Sequence, residues 1–240
     1  MLIDELKNIA RNNGIVGAGG AGFPAYAKMT EKADTVILNC VECEPLLKLH
    51  RQLLATHTEE IIQMLDEVRE SFGAKEAVIG IKSEYVTTIK AIEEVIGDFP
   101  NVRICALKAA YPMGDEVVLI YEATGRVIKP GGLPIDENVV VYNVETMYNL
   151  YRAVHLNIPV TNKLVSIVGE IDHPLTVRVP LGTTVKEAIS LAGKITVEDP
   201  AYVMGGPMMG RLGTENTVIT KTTYAIIILP KDDHVVVRMD

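Results

Sequence analysis

Short, continuous apolar runs alternate with longer amphipathic segments through the first two thirds of the chain, and this alternation constrains the fold most strongly. The runs are rich in β-branched residues and predict strands at Thr35–Leu38, Ala77–Ile81, Val102–Leu107 and Val139–Tyr142. Helical patterns surround them at Leu2–Asn12, Gln52–Ser71, Glu84–Ile96, Glu116–Thr124 and Glu145–Leu156. Strands without polar alternation are buried on both faces, which is typical of parallel sheets covered by helices. The sequence therefore predicts a doubly wound, Rossmann-like α/β domain.

The pattern changes near Ile158–Asn162, where a second domain is predicted to begin. A short helix starts with a capping box formed by Thr184 and Glu187. Strands are predicted around it at Lys163–Val168, Leu175–Val179, Ala225–Leu229 and Val235–Arg238. One helix among several strands indicates a small α+β domain of the β-grasp type. We therefore expect domains at residues 1–160 and 161–240.

Composition excludes some classes of function. The formal net charge is −8, whereas nucleic-acid binding needs a basic surface to neutralise phosphates. No apolar run approaches the roughly 20 residues that span a bilayer. The first residues lack the basic start and long apolar centre of a secretion signal. We expect a cytoplasmic protein that could still dock peripherally on a membrane complex or in a microcompartment.

A glycine-rich loop precedes the first predicted strand, and its candidate ligand-binding residues are Gly17, Gly19, Gly20, Ala21 and Gly22. Without side chains, its backbone N–H groups are open to a phosphate or a flat ring. The spacing matches the dinucleotide fingerprint in its letters. That fingerprint, however, follows a strand rather than preceding one. Taken alone, the loop is equally well interpreted as a mobile connection.

Three polar clusters follow predicted strands, at Asn39–Pro45, Tyr111–Glu116 and Asn143–Thr146. Ligands of open α/β sheets bind at the carboxyl ends of the strands. Asn39 can donate and accept at the edge of a heterocycle, and Glu42 or Glu44 can accept from sugar hydroxyls. The structural alternative is that these side chains cap turns and helices.

Cysteine usage argues against a metal or disulfide centre. The chain has three cysteines, Cys40, Cys43 and Cys105, fewer than the four thiolates that usually hold an iron–sulfur cluster. Cys40 and Cys43 have the spacing of a zinc pair, but no second Cys or His pair stands at ligand spacing. No Ser–His–Asp or Cys–His arrangement is evident, so we predict neither a metal site nor a catalytic side chain.

Taken together and in order, these motifs resemble the FMN-binding domain of the complex I flavoprotein subunit. The residues that carry the likeness are Gly17–Pro24 with Lys28, Asn39–Pro45 with Arg51, Tyr111–Glu116 and Asn143–Thr146. The Rnf electron-transport C subunits and the cobalamin reductases of propanediol utilisation look like the nearer branches. Their likeness extends to the motifs Gly131–Pro134, Val179–Thr183 and Gly205–Gly210. The last two motifs resemble a soluble-ligand-binding β-grasp domain.

The resemblance implies a set of cofactor and substrate contacts. For FMN it implies Gly17, Gly19, Gly20, Ala21, Gly22, Lys28, Asn39, Glu42, Tyr111, Gly114, Asp115 and Asn143. For NADH it implies Phe23, Glu44 and Glu116. Iron–sulfur clusters are expected only in a portion that this chain lacks. The implied partners are a nicotinamide nucleotide and other electron-transfer subunits or a redox partner protein.

The function we expect is that of an electron-transfer flavoprotein fragment. It accepts hydride from NADH onto FMN and passes electrons to an iron–sulfur centre outside this chain. Two departures from the family pattern favour an alternative. Glu31 stands where an aromatic residue helps to clamp the nicotinamide, and Leu133 lies in a segment that is otherwise aromatic. The alternative is a non-catalytic docking module that recognises a corrinoid or a partner protein and has no functional flavin site.

Overall fold

The computed structural model describes residues 1–239, and the chain divides into two compact units. Unit 1 contains residues 1–17, 23–43 and 50–159. Unit 2 contains residues 160–239 of the described chain together with two short earlier segments, 18–22 and 44–49. The sequence predicted a single change of domain near residue 160, whereas these two segments pack with unit 2 although they lie early in the chain.

Unit 1 is an α/β fold built on four strands: β1 (Thr35–Cys40), β2 (Glu76–Lys82), β3 (Val102–Leu107) and β4 (Val139–Asn143). Its helices are α1 (Ile3–Asn12), α2 (Ala25–Lys28), α3 (Leu49–Thr56), α4 (Thr58–Phe72), α5 (Val86–Val95), α6 (Glu116–Thr124) and α7 (Val144–Leu156). Two 3₁₀ turns lie at Ile96–Asp98 and Pro134–Glu137. This architecture confirms the predicted Rossmann-like class.

The four strands are all parallel and lie in the order β3-β2-β1-β4. The chain runs outward from β1 through β2 to β3 and then returns to β4 on the other side of β1. The topological switch point of the sheet therefore lies between β1 and β4. Open α/β sheets bind their ligands in the crevice at the carboxyl ends of the strands at such a point.

Burial explains why these runs form strands. All but one residue of β1 are buried, and β2 is buried from Ala77 to Ile81. Ile37 and Val78 pack in one cluster with Leu119 of α6. Gly80 leaves room for that helix, because a Cβ there would lie 2.5 Å from Leu119 Cδ1. Such strands have no solvent face, which is why their sequence shows no polar alternation.

The single helix predicted over Gln52–Ser71 is wrong, because the chain forms α3 and α4 with a break at His57. His57 has a non-helical backbone, with φ −130° and ψ 44°. The Thr56 hydroxyl donates to Gln52 O at 3.0 Å, and the Thr58 hydroxyl donates to Leu54 O at 2.7 Å. Such bonds from a hydroxyl to the preceding turn compete with the helix ladder.

Unit 2 is built around a mixed sheet of five strands. They are β5 (Asn162–Gly169), β6 (Leu175–Pro180), β7 (Pro200–Met204), β8 (Arg211–Gly213) and β9 (Ala225–Pro230). Their order is β6-β5-β9-β7-β8, with β5 and β9 parallel and the other pairs antiparallel. The helix α8 (Val185–Ser190) packs its Val185, Ala188 and Ile189 into the core of this unit. The predicted β-grasp type of fold is confirmed.

Two details of unit 2 differ from the prediction. The strand predicted at Val235–Arg238 is wrong, because His234–Val237 forms the short helix α9. The Asp233 carboxylate accepts from Val235 N at 2.8 Å and caps that helix, so a local cap overrides the β preference of three valines. The strands β7 and β8 were not predicted, because they flank the glycine-rich segment Gly205–Gly210, which was interpreted only as a motif.

Candidate functional site

The carboxyl ends of β1 and β4 bring two predicted site residues together in unit 1. Asn39 near the end of β1 is the register partner of Asn143 at the end of β4. Both side chains therefore lie at the switch point of the sheet. The sequence placed each asparagine after a strand, and the sheet order makes the two strands neighbours.

Lys28 supplies a positive charge at the same edge. Its Nζ lies 3.3 Å from Glu116 Oε1 and donates to the carbonyl of Val141, in β4, at 3.2 Å. The ammonium also lies 6.0 Å from the centre of the Phe23 ring. The Lys28 and Glu116 side chains are 34% and 41% exposed, so the pair is open to solvent and to a ligand.

Asn39, near the end of β1, holds in place the loop that comes after β3. Its Nδ2 donates to Gly114 O at 3.0 Å, while its Oδ1 accepts from Val41 N at 2.9 Å. Gly114 N donates to Cys43 Sγ at 3.2 Å. A Cβ on Gly114 would lie 2.1 Å from Val41 O, so only glycine fits this approach. Asn39 and Gly114 thus fix the position of the loop that carries Tyr111, Asp115 and Glu116.

Asn143 caps α7 with its side-chain oxygen, and its side-chain NH₂ group remains available to a ligand. Its Oδ1 accepts from Thr146 N and from Thr146 Oγ1, both at 2.8 Å. Within residues 1–239, its Nδ2 has no hydrogen-bond acceptor. The cap orients the amide, and the amide therefore presents two donors at the switch point. Thr146 was not singled out from the sequence, because the usual signal three positions after a capping residue is Glu or Gln.

Two carboxylates that were predicted as FMN contacts accept hydrogen bonds from the backbone at the starts of helices. Glu42 is only 7% exposed, and its oxygens accept from His50 N at 2.9 Å and Arg51 N at 3.4 Å, at the start of α3. Asp115 Oδ1 accepts from Val117 N at 3.0 Å and Val118 N at 3.3 Å and so caps α6. These contacts agree with the structural alternative given for acidic residues at helix starts, and both residues stay predictions as cofactor contacts.

The two aromatic side chains predicted near a ligand are exposed. Tyr111 is 69% exposed and Phe23 is 50% exposed. Tyr121 of unit 1 is also exposed, whereas Phe72 and Tyr142 are buried. An exposed ring at the edge of an α/β sheet is available to stack on a planar ligand.

The glycine loop belongs to unit 2 from Ala18 to Gly22, whereas Gly17 belongs to unit 1. Gly19, Gly20 and Ala21 are exposed. Gly20 and Gly22 have positive φ values of 119° and 67°, which glycine adopts readily. Among the described residues, no well-formed hydrogen bond uses the N–H of Gly19, Gly20 or Ala21. These open donors are what a phosphate or a carbonyl oxygen requires.

Glu44 also belongs to unit 2 and holds a glycine-rich turn there. Its carboxylate oxygens accept from Met208 N at 2.9 Å and Met209 N at 2.8 Å. A Cβ on Gly206 would lie 2.0 Å from the same carboxylate, so that position has no room for a side chain. Glu44 was predicted as an NADH contact, and its partners in the turn could not be predicted from the sequence.

A cavity of about 320 Å³ lies in unit 2 beside this carboxylate. Its lining residues are mostly small or hydroxylated: Gly19, Gly20, Glu44, Met204, Gly205, Gly206, Met209, Arg211, Thr220, Thr222, Thr223 and Tyr224. Two predicted FMN contacts and one predicted NADH contact therefore line one cavity. The participation of Arg211 and the threonines was missed, since they lie nearly 200 positions after the glycine loop.

The cysteine pair is not arranged as a reactive centre. Cys40 is fully buried, and burial raises the pKa of its thiol well above the ordinary value, with the nearby Glu42 charge raising it further. Cys43 is half-buried and accepts from Gly114 N. No group of three or more His, Cys, Asp or Glu side chains in residues 1–239 could hold a metal ion. In the same residues no helix is long and apolar enough to cross a membrane.

Comparison with protein families gives two matches. Residues 10–152 match the Nuo51 FMN-binding domain family, and residues 164–212 match the SLBB domain family. The first match covers more than half of the chain.

Curated relatives match over nearly the whole chain. The cobalamin reductase PduS of Salmonella typhimurium is 40% identical over 236 residues, which cover 98% of this chain and 52% of the relative. A component of the Na⁺-translocating ferredoxin:NAD⁺ oxidoreductase complex of Acetobacterium woodii is 32% identical, with 95% and 53% covered. The chain spans about half the length of the curated relatives it matches.

A solved structure has a similar fold. The NAD⁺-reducing [NiFe]-hydrogenase in its H₂-reduced state contains a chain with a TM-score of 0.75 and 20% sequence identity. The match covers 95% of this chain and 47% of the hydrogenase chain. At this identity the likeness concerns the fold, and the sequence matches establish kinship: this chain belongs to the Nuo51 FMN-binding domain family and carries an SLBB domain after it.

Proposed function

We propose that this chain binds FMN and forms the point at which electrons from NADH enter a larger redox protein or complex. Membership of the Nuo51 FMN-binding domain family supports FMN as the cofactor, and the names of the relatives, a cobalamin reductase and a component of a ferredoxin:NAD⁺ oxidoreductase complex, support a role in electron transfer. The observation that carries the proposal is the switch point between β1 and β4. A lysine, two asparagines and an acidic side chain meet there, at the place where this class of sheet binds its ligands.

The residues at this edge fit a flavin nucleotide. Lys28 provides a cation for a phosphate or for negative charge on the reduced ring. Asn143 provides two N–H donors without a protein acceptor among the described residues. Phe23 and Tyr111 provide exposed rings for a planar ligand. The family resemblance assigns the glycine loop to the same cofactor, and its open N–H groups suit a phosphate.

The chemistry of the reaction belongs to the cofactor, since FMN accepts two electrons as hydride from a nicotinamide and can release them singly. The chain binds and orients the reactants and sets the local charge. The ion pair with Glu116 limits the net positive charge that Lys28 contributes. No side chain is required as a nucleophile or general base. The electrons pass from the flavin to an iron–sulfur centre outside this chain. The chain works beside other electron-transfer subunits.

We propose further that the functional division follows the predicted boundary near residue 160, with cofactor chemistry before it and ligand or partner recognition after it. Glu44, Glu116 and Phe23 stay the proposed NADH contacts. Glu31 and Leu133, which depart from the aromatic pattern of the family, are both exposed. A weakened nicotinamide clamp is therefore expected, with NADH binding less tightly than FMN.

An FMN titration followed by flavin fluorescence tests the proposal. Lys28→Met removes the cation, and Asn143→Asp keeps the cap oxygen for α7 but removes the two N–H donors. We expect each change to raise the Kd for FMN about tenfold, since each deletes one charge-assisted or strongly oriented hydrogen bond. Lys32→Met is the matched control, because Lys32 is exposed and lies four residues from Lys28. Its Kd should equal that of the wild type.

Two results would count against the proposal. If folded wild-type protein binds no FMN at micromolar concentration, the flavin assignment is wrong, and the docking-module alternative takes its place. If FMN binds but all three variants bind equally well, the cofactor lies elsewhere. Anaerobic addition of NADH to the FMN complex then tests the second part of the proposal, that electrons from NADH enter at the flavin. Loss of the flavin absorbance indicates hydride transfer, and unchanged absorbance restricts the proposal to FMN binding.

A further inference from the structure

Lys163 is a buried cation in unit 2. It is 2% exposed, although lysine is among the residue types that are least often buried. The alternation along β5 places it on the same face as Val165 and Ile167, which are fully buried. A charged group in such surroundings is tolerated only when it is well paired.

The ammonium of Lys163 reaches the start of the glycine loop. Its Nζ donates to Ala18 O at 3.0 Å, across 145 positions of sequence. Ala18 itself is 2% exposed, whereas Gly19, Gly20 and Ala21 after it are exposed. The loop therefore leaves the interior of unit 2 at the residue whose carbonyl the lysine holds.

The other end of the loop is also fixed within unit 2. A Cβ on Gly22 would lie 2.9 Å from Thr222 Cγ2, so Gly22 packs directly on that threonine. The turn that contains Thr222 is closed by a bond of 3.0 Å from Thr220 N to Thr223 Oγ1. Ser166 N of β5 donates to Tyr224 O at 3.2 Å and ties the end of this turn to the strand of Lys163.

We propose that Lys163 is a positioning residue for the glycine loop. It sets the direction in which the exposed residues 19–21 leave the interior of unit 2, and through them it sets the affinity for the phosphate-bearing cofactor. The second half of this statement rests on the proposed FMN function, whereas the first half concerns the loop alone. The strand β5 thus contributes to cofactor binding through the loop that Lys163 holds.

Backbone order parameters from nuclear magnetic resonance test the first half without any cofactor. In the wild type we expect values of about 0.85 for Gly19, Gly20 and Gly22, as in rigid backbone. In Lys163→Met they should fall below about 0.6, while the values for β7 and β9 stay unchanged. Lys163→Arg keeps a cation and should restore part of the order. Lys186→Met, whose lysine is 74% exposed on α8, is the control and should change nothing.

Flexible loop amides in the wild type would overturn the proposal, whatever the variants do. So would a loop that stays rigid in Lys163→Met. If that variant does not fold, Lys163→Gln serves the same comparison, because glutamine keeps an N–H donor of shorter reach. A loss of order spread over the whole of unit 2 would indicate a role in stability only.

FMN affinity tests the second half. We expect the Kd for FMN to rise about tenfold in Lys163→Met, because binding must then order a loop that the wild type already holds in place, and to recover partly in Lys163→Arg. If the loop loosens but the Kd does not change, Lys163 does not position the cofactor site, and the proposed function is unaffected. If the wild type binds no FMN, the proposed function fails, and the order parameters still decide whether Lys163 holds the loop.

Discussion

At the scale of single residues, the reactivity of Cys40 tests whether the end of β1 is buried as the structure shows. Its thiol is fully buried with a raised pKa, so in the folded protein it stays protonated and inaccessible. We expect iodoacetamide to modify the half-buried Cys43 and Cys105 first and to leave Cys40 unmodified until the protein unfolds. Mass spectrometry of the peptides, with unfolded protein as the reference, measures the rates. Equal rates for Cys40 in both states would contradict this burial.

Gly114 gives a second prediction at this scale. Gly114→Ala places a methyl group 2.1 Å from Val41 O, and the backbone must move to relieve that contact. We expect the substitution to lower the free energy of unfolding by about 1 to 3 kcal/mol, as overpacking does. Gly97→Ala is the control, because a Cβ there meets nothing within 4 Å. Urea denaturation compares the two, and equal stability of both variants would show that the loop after β3 is not held as described.

The sequence predicted where the candidate site residues lie better than it predicted their hydrogen-bond partners. Asn39 and Asn143 were expected at strand ends, and both lie there. Glu42 stays a prediction as an FMN contact, but its hydrogen bonds from the backbone of α3 were not foreseen. A backbone N–H partner has no mark in the sequence, because every residue except proline carries one. For the same reason the bond from Lys28 to the carbonyl of Val141 could not be predicted.

At the scale of elements, α6 is positioned by its cap. Asp115 accepts from two amides at the start of the helix. Asp115→Ala should lower the free energy of unfolding by about 0.5 to 2 kcal/mol, whereas Asp115→Asn, which keeps the acceptor oxygen, should cost little. Thermal unfolding measures both. A large loss in the Asn variant would mean that the charge matters, and weaker FMN binding by that variant at unchanged stability would support the predicted cofactor role of Asp115.

The pattern of apolar residues along the sequence identified the helices and strands whose positions depend on burying apolar side chains. The mostly buried strands β1, β2 and β4, the more exposed strand β3 and the helix α6 were all found from their apolar patterns. The break between α3 and α4 was missed, since it depends on where two threonine hydroxyls make their hydrogen bonds. The segment His234–Val237 was misassigned because four residues carry too little periodicity to outweigh a cap at Asp233. Local hydrogen bonding decides such short elements.

At the scale of the whole molecule, the ion pair of Asp34 with Arg126 links two distant parts of unit 1. Arg126 Nη1 donates to Asp34 Oδ1 at 2.6 Å and Nη2 donates to Oδ2 at 3.1 Å. Partial burial raises the pKa of Asp34, but hydrogen bonds from Arg126 and Thr35 outweigh it, so the pKa lies below its ordinary value of 3.8. The folded state therefore keeps this carboxylate ionised at a lower pH than the unfolded chain does.

A dependence of stability on pH follows from that shift. Between the lowered pKa and the ordinary value of 3.8 the unfolded chain binds more protons. The stabilisation is thus complete above the ordinary pKa and is lost as the pH falls through the lowered one. Asp34→Asn should reduce the melting temperature at neutral pH, and its difference from the wild type should close in acid. Asp4→Asn, at a carboxylate with 87% of its side chain exposed, is the control. A difference independent of pH would contradict the linkage.

The bond between Lys163 and Ala18 has a consequence for the order of events during synthesis. Domains generally fold as they emerge from the ribosome, beginning at the N-terminus. The glycine loop emerges early, but the lysine that holds its carbonyl follows 145 residues later. The turn against which Gly22 packs comes later still, at Thr222. Unit 1 can thus form its parallel sheet before Lys163 and Thr222 have been translated, and the contacts of these two residues with the loop form only after translation has passed the β-grasp strands.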